Sequence, residues 1–324
     1  MSQDIIDAYQ RIKDYVNKTP VMTSRTLNEL SSAHIYVKCE NYQRIGAFKA
    51  RGAFNAIKQL IEDSHPAGVI THSSGNHAQA VALAARELGV KALIIMPKNA
   101  PLVKKAATRG YGATIIECGN SPTDRVVKTK EVVEKYGYPL VHPYNDYKII
   151  HGAGTAAYEL LTEVGELDYV LAPVGGGGLL SGTSICVKSL FPDTIVIGIE
   201  PLNANDAYLS FKDGTKIYPS VNPKTIADGL RTNLGDITFK IIKENVDDII
   251  TVSEKQIISA MKFLWERMKI VVEPSGAVPL AGLFRLVNEE VKYKIKNKKI
   301  GLIISGGNID LTDFFNTLSS LIED

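Results

Sequence analysis

The residues that could do chemistry begin with one lysine. In the stretch Asn41-Tyr42-Gln43-Arg44-Ile45-Gly46-Ala47-Phe48-Lys49-Ala50-Arg51-Gly52-Ala53, Lys49 follows an aromatic residue, lies between two glycines and precedes an apolar helical pattern. A lysine amine attacks a carbonyl only when deprotonated, which takes desolvation or a neighbouring cation. Phe48 and the apolar residues around it supply the first, and Arg51 supplies the second. Read alone, a solvated lysine at a helix start is the simpler account, because lysines are mostly surface residues.

Three small-residue turns widen the reading: Ser73-Ser74-Gly75-Asn76-His77, Gly175-Gly176-Gly177-Gly178 and Ser305-Gly306-Gly307-Asn308. Each follows an apolar strand-like run, and ligands of open α/β sheets bind beyond the carboxyl ends of strands. Four consecutive glycines remove every Cβ from a turn at a helix start, so backbone amides can converge on a phosphate. A flexible turn without a ligand is the alternative. No Lys-Ser/Thr follows, so it is not a Walker loop, and it lacks the spacing of a dinucleotide fingerprint. The Ser73–His77 turn suits a carboxylate, and ordinary helix capping by Ser74 or Asn76 is the alternative. Ser305 to Asn308 reads equally as a tight turn.

An oxygen-rich stretch holds Glu200, Asn203, Asn205 and Asp206. Two carboxylates and a backbone carbonyl suit Mg²⁺ or Ca²⁺ with several waters, and a solvated acidic loop is the alternative. The six histidines show no zinc-ligand spacing.

The elements that must position these residues alternate. Asp4 to Lys18 has helical spacing, with Asp4 as its cap, and Thr26 to Leu30 forms a helical turn. His34 to Cys39 is a strand, and a helix follows Lys49 through Leu60 and Ile61. Gly68 to Thr71, Ala92 to Met96, Ala113 to Glu117 and Pro139 to His142 read as strands. Between them lie helices Ala78–Leu88, Leu102–Thr108 and Arg125–Tyr136. This is one small open α/β layer with right-handed crossovers. Past Tyr144 the pattern restarts. Helices Gly154–Val164, Leu180–Leu190 and Pro274–Leu286 join a helix opened by a Ser253/Gln256 capping box. They alternate with strands Asp168–Pro173, Thr194–Glu200, Asp248–Val252 and Ile300–Ile304. Thr225 to Thr238 is polar and irregular. Leu311, Phe314, Phe315, Leu318 and Leu321 mark a closing helix.

The chain has 324 residues and a net charge of +2, which argues against a nucleic-acid partner. The lysine run Lys292 to Lys299 reads as a solvated helix end. Three dispersed cysteines fit a reducing compartment. Without a signal-like N-terminus or an apolar run of membrane length, the expectation is a soluble cytoplasmic protein with no membrane partner.

The motifs Gly-Ala-Phe-Lys-Ala-Arg-Gly-Ala, Ser-Ser-Gly-Asn-His, Gly-Gly-Gly-Gly-Leu and Ser-Gly-Gly-Asn occur in that order. Together they closely resemble the pyridoxal-phosphate enzymes of the tryptophan-synthase-β fold, within the serine racemase and serine/threonine dehydratase branch. The stretches Thr225 to Gly229 and Trp265 to Lys269 are similar to eukaryotic racemases. The resemblance implies an α/β fold of two open domains with the active site in the cleft between them. Residues 1–60 and 148–324 would form a large pyridoxal-phosphate-binding domain, and 61–147 a smaller mobile domain that closes on substrate.

It also implies roles. Lys49 would hold the cofactor as a Schiff base and act as a base. Gly175, Gly176, Gly177 and Gly178 would bind the phosphate, and Phe48 would lie against the ring. Asn76 would bond the ring hydroxyl, and Ser305 would face the ring nitrogen. Ser73, Ser74, Gly75, Asn76 and His77 would hold the substrate carboxylate, with Arg125 brought in on closure. Ser74 would be the second proton-transfer group. Glu200, the Ala204 carbonyl and Asp206 match a site for Mg²⁺ (or Ca²⁺ or Mn²⁺). Thr232 stands where mammalian racemases carry a substrate-pocket serine. ATP is a further activator in mammalian members. Asn308 and Lys269 match positions linked to it, but Ile45 and Arg25 replace smaller polar residues. The implied activity is serine racemisation, L to D, with dehydration of serine to pyruvate and ammonia, in a homodimer. The alternative is a catabolic threonine/serine or 3-hydroxyaspartate ammonia-lyase. A non-catalytic member of the fold is the third reading, against which Lys49 stands.

Overall fold

The computed structural model describes residues 2–100, 102–288, 293–312 and 314–315. Its strands are β1 Val21–Met22, β2 His34–Cys39, β3 Gly68–His72, β4 Lys91–Pro97, β5 Thr114–Cys118, β6 Tyr169–Pro173, β7 Ile195–Pro201, β8 Asp248–Val252 and β9 Lys299–Ile304. They form two sheets: six strands in the order β1-β2-β9-β6-β7-β8, and three in the order β3-β4-β5. All neighbours are parallel except β1 and β2.

The near-continuous apolar runs follow from helices covering both faces of each sheet. In β6, Leu171 faces a core shared with Met261, Leu280 and Leu283. Its neighbours Val170 and Ala172 face the opposite core, with Leu160, Leu180 and Ile242. The three-stranded sheet repeats the scheme. Val69, Ile94 and Met96 pack with the alanine-rich helix Asn76–Glu87. Ile70, Leu93 and Ile95 pack with Val132 of helix Pro122–Tyr136.

Helix Lys49–Ser64 serves both layers. Its Phe54 and Ile57 join the core of helix Asn76–Glu87. Its other side meets helix Tyr147–Val164 so closely that a Cβ on Gly152 would lie 2.7 Å from the Arg51 carbonyl oxygen.

Several elements differ from the sequence reading, for physical reasons. The first helix is Ser2–Ile12 and stops short of Lys18, with Asp4 inside its first turn. Pro139 to His142 forms no strand; only Leu140 bridges, to Ile70. The run is too short and proline-broken to extend the ladder. Helix Tyr147–Val164 starts at the Asp146 cap, seven residues before the apolar pattern. Within the polar stretch Thr225 to Thr238, helix Asp236–Asn245 begins at Asp236. Helix Glu254–Phe263 opens with the expected Ser253/Gln256 capping box. The closing helix is described only at 311–312 and 314–315, so Leu318 and Leu321 lie outside the described residues.

Candidate active site

Strand order places the chemistry. β9 lies between β2 and β6. The segments leaving their carboxyl ends therefore stand side by side, one strand spacing of about 4.8 Å apart. They are the loop to Lys49, then Ser305, then the glycine turn. Backbone bonds stitch the first two: Phe48 N donates to Ser305 O at 3.0 Å, and Gly307 N to Gly46 O at 2.9 Å. The fourth motif, Ser73 to His77 at the end of β3, faces them from the smaller sheet.

Three helices begin at this place without a side-chain cap. Their N-cap residues are Phe48 before Lys49–Ser64, Gly75 before Asn76–Glu87, and Gly177 before Gly178–Leu190. Ser24, Ser121, Asp146 and Ser253 do cap helices elsewhere in the chain. Helix capping by Ser74 or Asn76 is therefore not what the turn does; Asn76 is the first helical residue. Uncapped helix starts leave amide donors and a positive dipole end, which suit anions.

The glycine turn is a fitted cradle. A Cβ on Gly175 would lie 2.8 Å from Leu230 Cα, and one on Gly178 would lie 3.0 Å from Tyr144 Cβ. Gly177 has φ +88° and a Cβ there would meet Thr238 at 2.8 Å. Side chains are excluded, and the backbone is what the turn presents.

Lys49 is half-buried, and its Nζ donates to Pro143 O at 2.6 Å and lies 5.0 Å from the Phe48 ring centre. Desolvation lowers its pKa to about 8, against the opposing pull of Glu273. Arg51, which the sequence offered as a cationic neighbour, points elsewhere. It is buried in a quartet with Glu40, Glu159 and Lys38: Arg51–Glu40 2.7 Å, Arg51–Glu159 2.8 Å and Lys38–Glu159 2.6 Å. The quartet fixes the helix that carries Lys49, and desolvation alone accounts for the lowered amine.

Asn76 joins both sides of the cleft. Its Nδ2 donates to Glu273 Oε1 and Oε2 at 3.0 and 3.1 Å, and its Oδ1 accepts from Asn308 Nδ2 at 2.9 Å. Glu273 is buried, and desolvation with the nearby Asp228 raises its pKa to about 7. Sequence reasoning missed Glu273. Its signal was a lone charge closing the apolar run Ile270 to Val272, just before a buried helix. Tyr144 was missed too; its ring covers Gly176, with no polar motif to mark it.

His77 is buried, and its Nε2 lies 3.2 Å from Val141 O. Burial and the Lys49 charge push its pKa well below the ordinary value. The ring is therefore neutral, Nε2–H donates to the carbonyl, and the unpartnered Nδ1 is left as an acceptor. Ser73 and Ser74 are half-exposed beside Gly75, whose Cβ position opens on free space. Arg125 starts one turn into helix Pro122–Tyr136. Its Nε is buried without a partner, and its charge reaches His72 and Tyr144. Ser305 is buried. Thr232 is exposed, just past the turn Asp228–Leu230 that backs Gly175.

Glu200 ends on β7 and accepts from Ala207 N at 2.9 Å and Tyr208 N at 2.7 Å. Asp206 is buried and neither carboxylate oxygen has a hydrogen bond of good geometry; the Ser220 hydroxyl stands beside it, close enough to act on its charge but not aligned as a donor. Burial raises the Asp206 pKa to about 6, and burial with Asp206 nearby raises that of Glu200 well above the usual range. Two desolvated carboxylates this close call for a proton or a cation. Among the described residues no group of three or more His, Cys, Asp or Glu side chains gathers.

The sequence profile of the family described as pyridoxal-phosphate dependent enzyme matches residues 12–306. This chain belongs to that family. It is 49% identical over 317 residues to an L-threo-3-hydroxyaspartate ammonia-lyase of Saccharomyces cerevisiae, covering 98% of this chain and 95% of that one. It is 48% identical over 318 residues to a serine racemase of Dictyostelium discoideum, covering 98% and 97%. A crystal structure of Dictyostelium discoideum serine racemase superposes with a TM-score of 0.91 at 48% identity, covering 96% of this chain and 99% of that chain. The mixed α/β architecture with parallel sheets is that of this pyridoxal-phosphate family.

The residues present fit the cofactor of the family. A side-chain-free cradle at a helix start suits a phosphate, and a desolvated amine suits an aldehyde. The uncapped turn at Asn76 leaves room for a carboxylate opposite. No described helix is long and apolar enough to cross a membrane.

Proposed function

We propose that this chain is a serine racemase that also dehydrates serine to pyruvate and ammonia. The observation that carries the reading is the meeting of three uncapped helix starts around one desolvated lysine. Gly175, Gly176, Gly177 and Gly178 would hold the phosphate of pyridoxal phosphate, Lys49 its aldehyde carbon, Phe48 its ring face, Asn76 its hydroxyl and Ser305 its ring nitrogen. When bound, the cofactor supplies an electron sink conjugated with the substrate Cα.

The remaining chemistry belongs to the chain. Ser73, Ser74, Gly75, Asn76 and His77 hold the substrate carboxylate at a helix start, and Arg125 adds charge from the smaller sheet. Lys49, with a pKa near 8, is a base of suitable strength for a Cα proton. Ser74 returns a proton from the opposite side, and the uncapped start of helix Asn76–Glu87 is the polarising neighbour that a weakly acidic hydroxyl needs. Ser305 carries no proton acidic enough to transfer to a ring nitrogen, which favours early loss of a β-hydroxyl. Dehydration is therefore at least comparable to racemisation.

Glu200, the Ala204 carbonyl and Asp206 would hold Mg²⁺, Ca²⁺ or Mn²⁺; the two Asp206 oxygens, neither with a hydrogen bond of good geometry, support this. Residues 61–147 would be the mobile unit, closing on 1–60 and 148–324. The working species would be a cytoplasmic homodimer. Free buried cysteines and the exposed Val271 and Phe315 support that placement. Of the ATP-linked positions, Asn308 already spends its amide on Ile45 O at 2.6 Å and on Asn76. That argues against ATP as an activator.

The second reading is an ammonia-lyase for threonine or 3-hydroxyaspartate, favoured by the yeast relative and using the same residues. The test is a panel of L-serine, D-serine, L-threonine and L-threo-3-hydroxyaspartate, scored for keto acid and product chirality with and without Mg²⁺. D-serine together with pyruvate from L-serine supports the proposal. Keto acid without any D-serine transfers it to the second reading.

A further inference from the structure

One ion pair at the cleft has no part in these roles. Lys104 Nζ lies 2.7 Å from Asp228 Oδ2, with the two side chains about one-third and one-half exposed. Lys104 sits in the first turn of helix Leu102–Gly110, beyond the carboxyl end of β4 in the three-stranded sheet. Asp228 opens the turn Asp228–Leu230 of the other unit. That turn is firmly seated. Gly229 N donates to Ser275 Oγ at 3.1 Å, and Leu230 Cα fills the space where a Cβ on Gly175 would go. The pair therefore ties the smaller sheet to the back of the glycine turn.

We propose that Lys104 and Asp228 are positioning residues whose ion pair clasps the three-stranded unit closed over the active site. The inference rests on the proposed amino-acid turnover. Three features support it. The contacts deeper in the cleft, Asn76 to Glu273 and to Asn308, are hydrogen bonds made by a residue assigned to the ligand, so they are not available as a clasp. Among the described residues, the other ion pairs that join this unit to the rest are Arg44 with Glu87, Arg11 with Glu62 and Lys148 with Asp63. Glu87 lies eleven residues along its helix from Asn76, about 16 Å away, and Glu62 and Asp63 lie on the helix that carries Lys49, so none of the three spans the mouth at the glycine turn. Both Lys104 and Asp228 also act on the buried Glu273, the partner of Asn76, with opposite sign. Making or breaking the pair is thus felt where the ligand sits. A partly exposed pair is weak and salt-sensitive, which suits a contact that must open in every cycle.

The experiment compares Lys104→Gln, Asp228→Asn, the exchanged pair Lys104→Asp with Asp228→Lys, and Lys128→Gln as control. Lys128 pairs with Glu131 on its own helix and spans nothing. Each cofactor-loaded enzyme is assayed with L-serine at low and high salt, and amide exchange is followed in helix Leu102–Gly110. Each single variant should lower kcat/KM about two- to five-fold at low salt, through KM. That loss should shrink at high salt, and the helix amides should exchange faster by a similar factor. The exchanged pair should recover both, and Lys128→Gln should match the wild type. Single variants with unchanged KM and unchanged exchange would overturn the clasp, as would an exchanged pair that recovers neither. If the wild type turns over no serine, the functional reading fails, and the exchange data alone still decide the clasp.

Discussion

Lys49 Nζ donates to the carbonyl oxygen of Pro143, 94 residues away along the chain, at 2.6 Å. A neutral amine has two N–H groups and one lone pair. Giving one N–H to Pro143 fixes the direction of the lone pair and leaves it free. Lys49→Ala should leave the fold intact and lower turnover by on the order of 10³-fold. After borohydride reduction, denaturation and desalting, the wild type should keep absorbance from covalently held cofactor and the variant should not. Equal retention would remove Lys49 as the anchor.

Gly175→Ala should weaken cofactor binding about tenfold or more, because the new methyl meets Leu230 Cα rather than a movable side-chain end. Titration of the cofactor-free protein with pyridoxal phosphate, followed by absorbance, measures it. An unchanged dissociation constant would mean that the turn is not the cradle.

Glu273 makes stability depend on pH. The unfolded chain releases this proton near 4.5, but the fold keeps it to about 7. Between those values the unfolded state binds fewer protons, so stability is fullest below 4.5 and falls as pH rises to about 7. The loss from this group is up to about 3 kcal/mol. Glu273→Gln should remove that slope relative to wild type. Urea denaturation at several pH values between 4.5 and 7.5 tests it, and parallel curves for the two proteins would refute it.

Asp206 has two buried carboxylate oxygens, neither with a hydrogen bond of good geometry. Added Mg²⁺ or Ca²⁺ should raise the melting temperature of the wild type, and chelation should reverse the gain. Asp206→Asn should melt at one temperature with or without the ion. A metal shift that survives this substitution would place the cation elsewhere.

The Arg51, Glu40, Glu159 and Lys38 quartet pairs two cations with two carboxylates, all buried. Lys38→Met should cost about 3–5 kcal/mol, since it leaves a buried negative charge less compensated. Adding Glu159→Gln should cost less than the sum of the two single changes. Additive losses in urea denaturation would show that the charges do not act as a set.

What could be read from the sequence was what rests on local pattern. β2 and β8 fall where alternation and apolar runs placed them, and the Ser253 capping box is where two side chains announce it. The four motifs that meet beyond the strand ends were visible as motifs because their small residues leave the backbone open. Long-range facts were not visible. Nothing near Arg51 says that its charge is consumed by Glu40 and Glu159, so its expected help to Lys49 was misplaced. Glu273 enters the site through contacts 197 residues distant in sequence, which no window can register. Helix Asp236–Asn245 was hidden because its polar first turn resembles a loop.

The position of β9 carries a consequence for how the protein is made. The last of the described strands in sequence lies in the middle of the large sheet, bonded to β2 on one side and β6 on the other. Until it emerges from the ribosome, β1–β2 and β6–β7–β8 are separate pieces, each with an open edge that another chain could join. The nascent protein cannot assemble its cofactor pocket gradually. It waits for one six-residue segment that follows all the other described strands, and a message cut short before Lys299 would yield an aggregation-prone product with no partial activity.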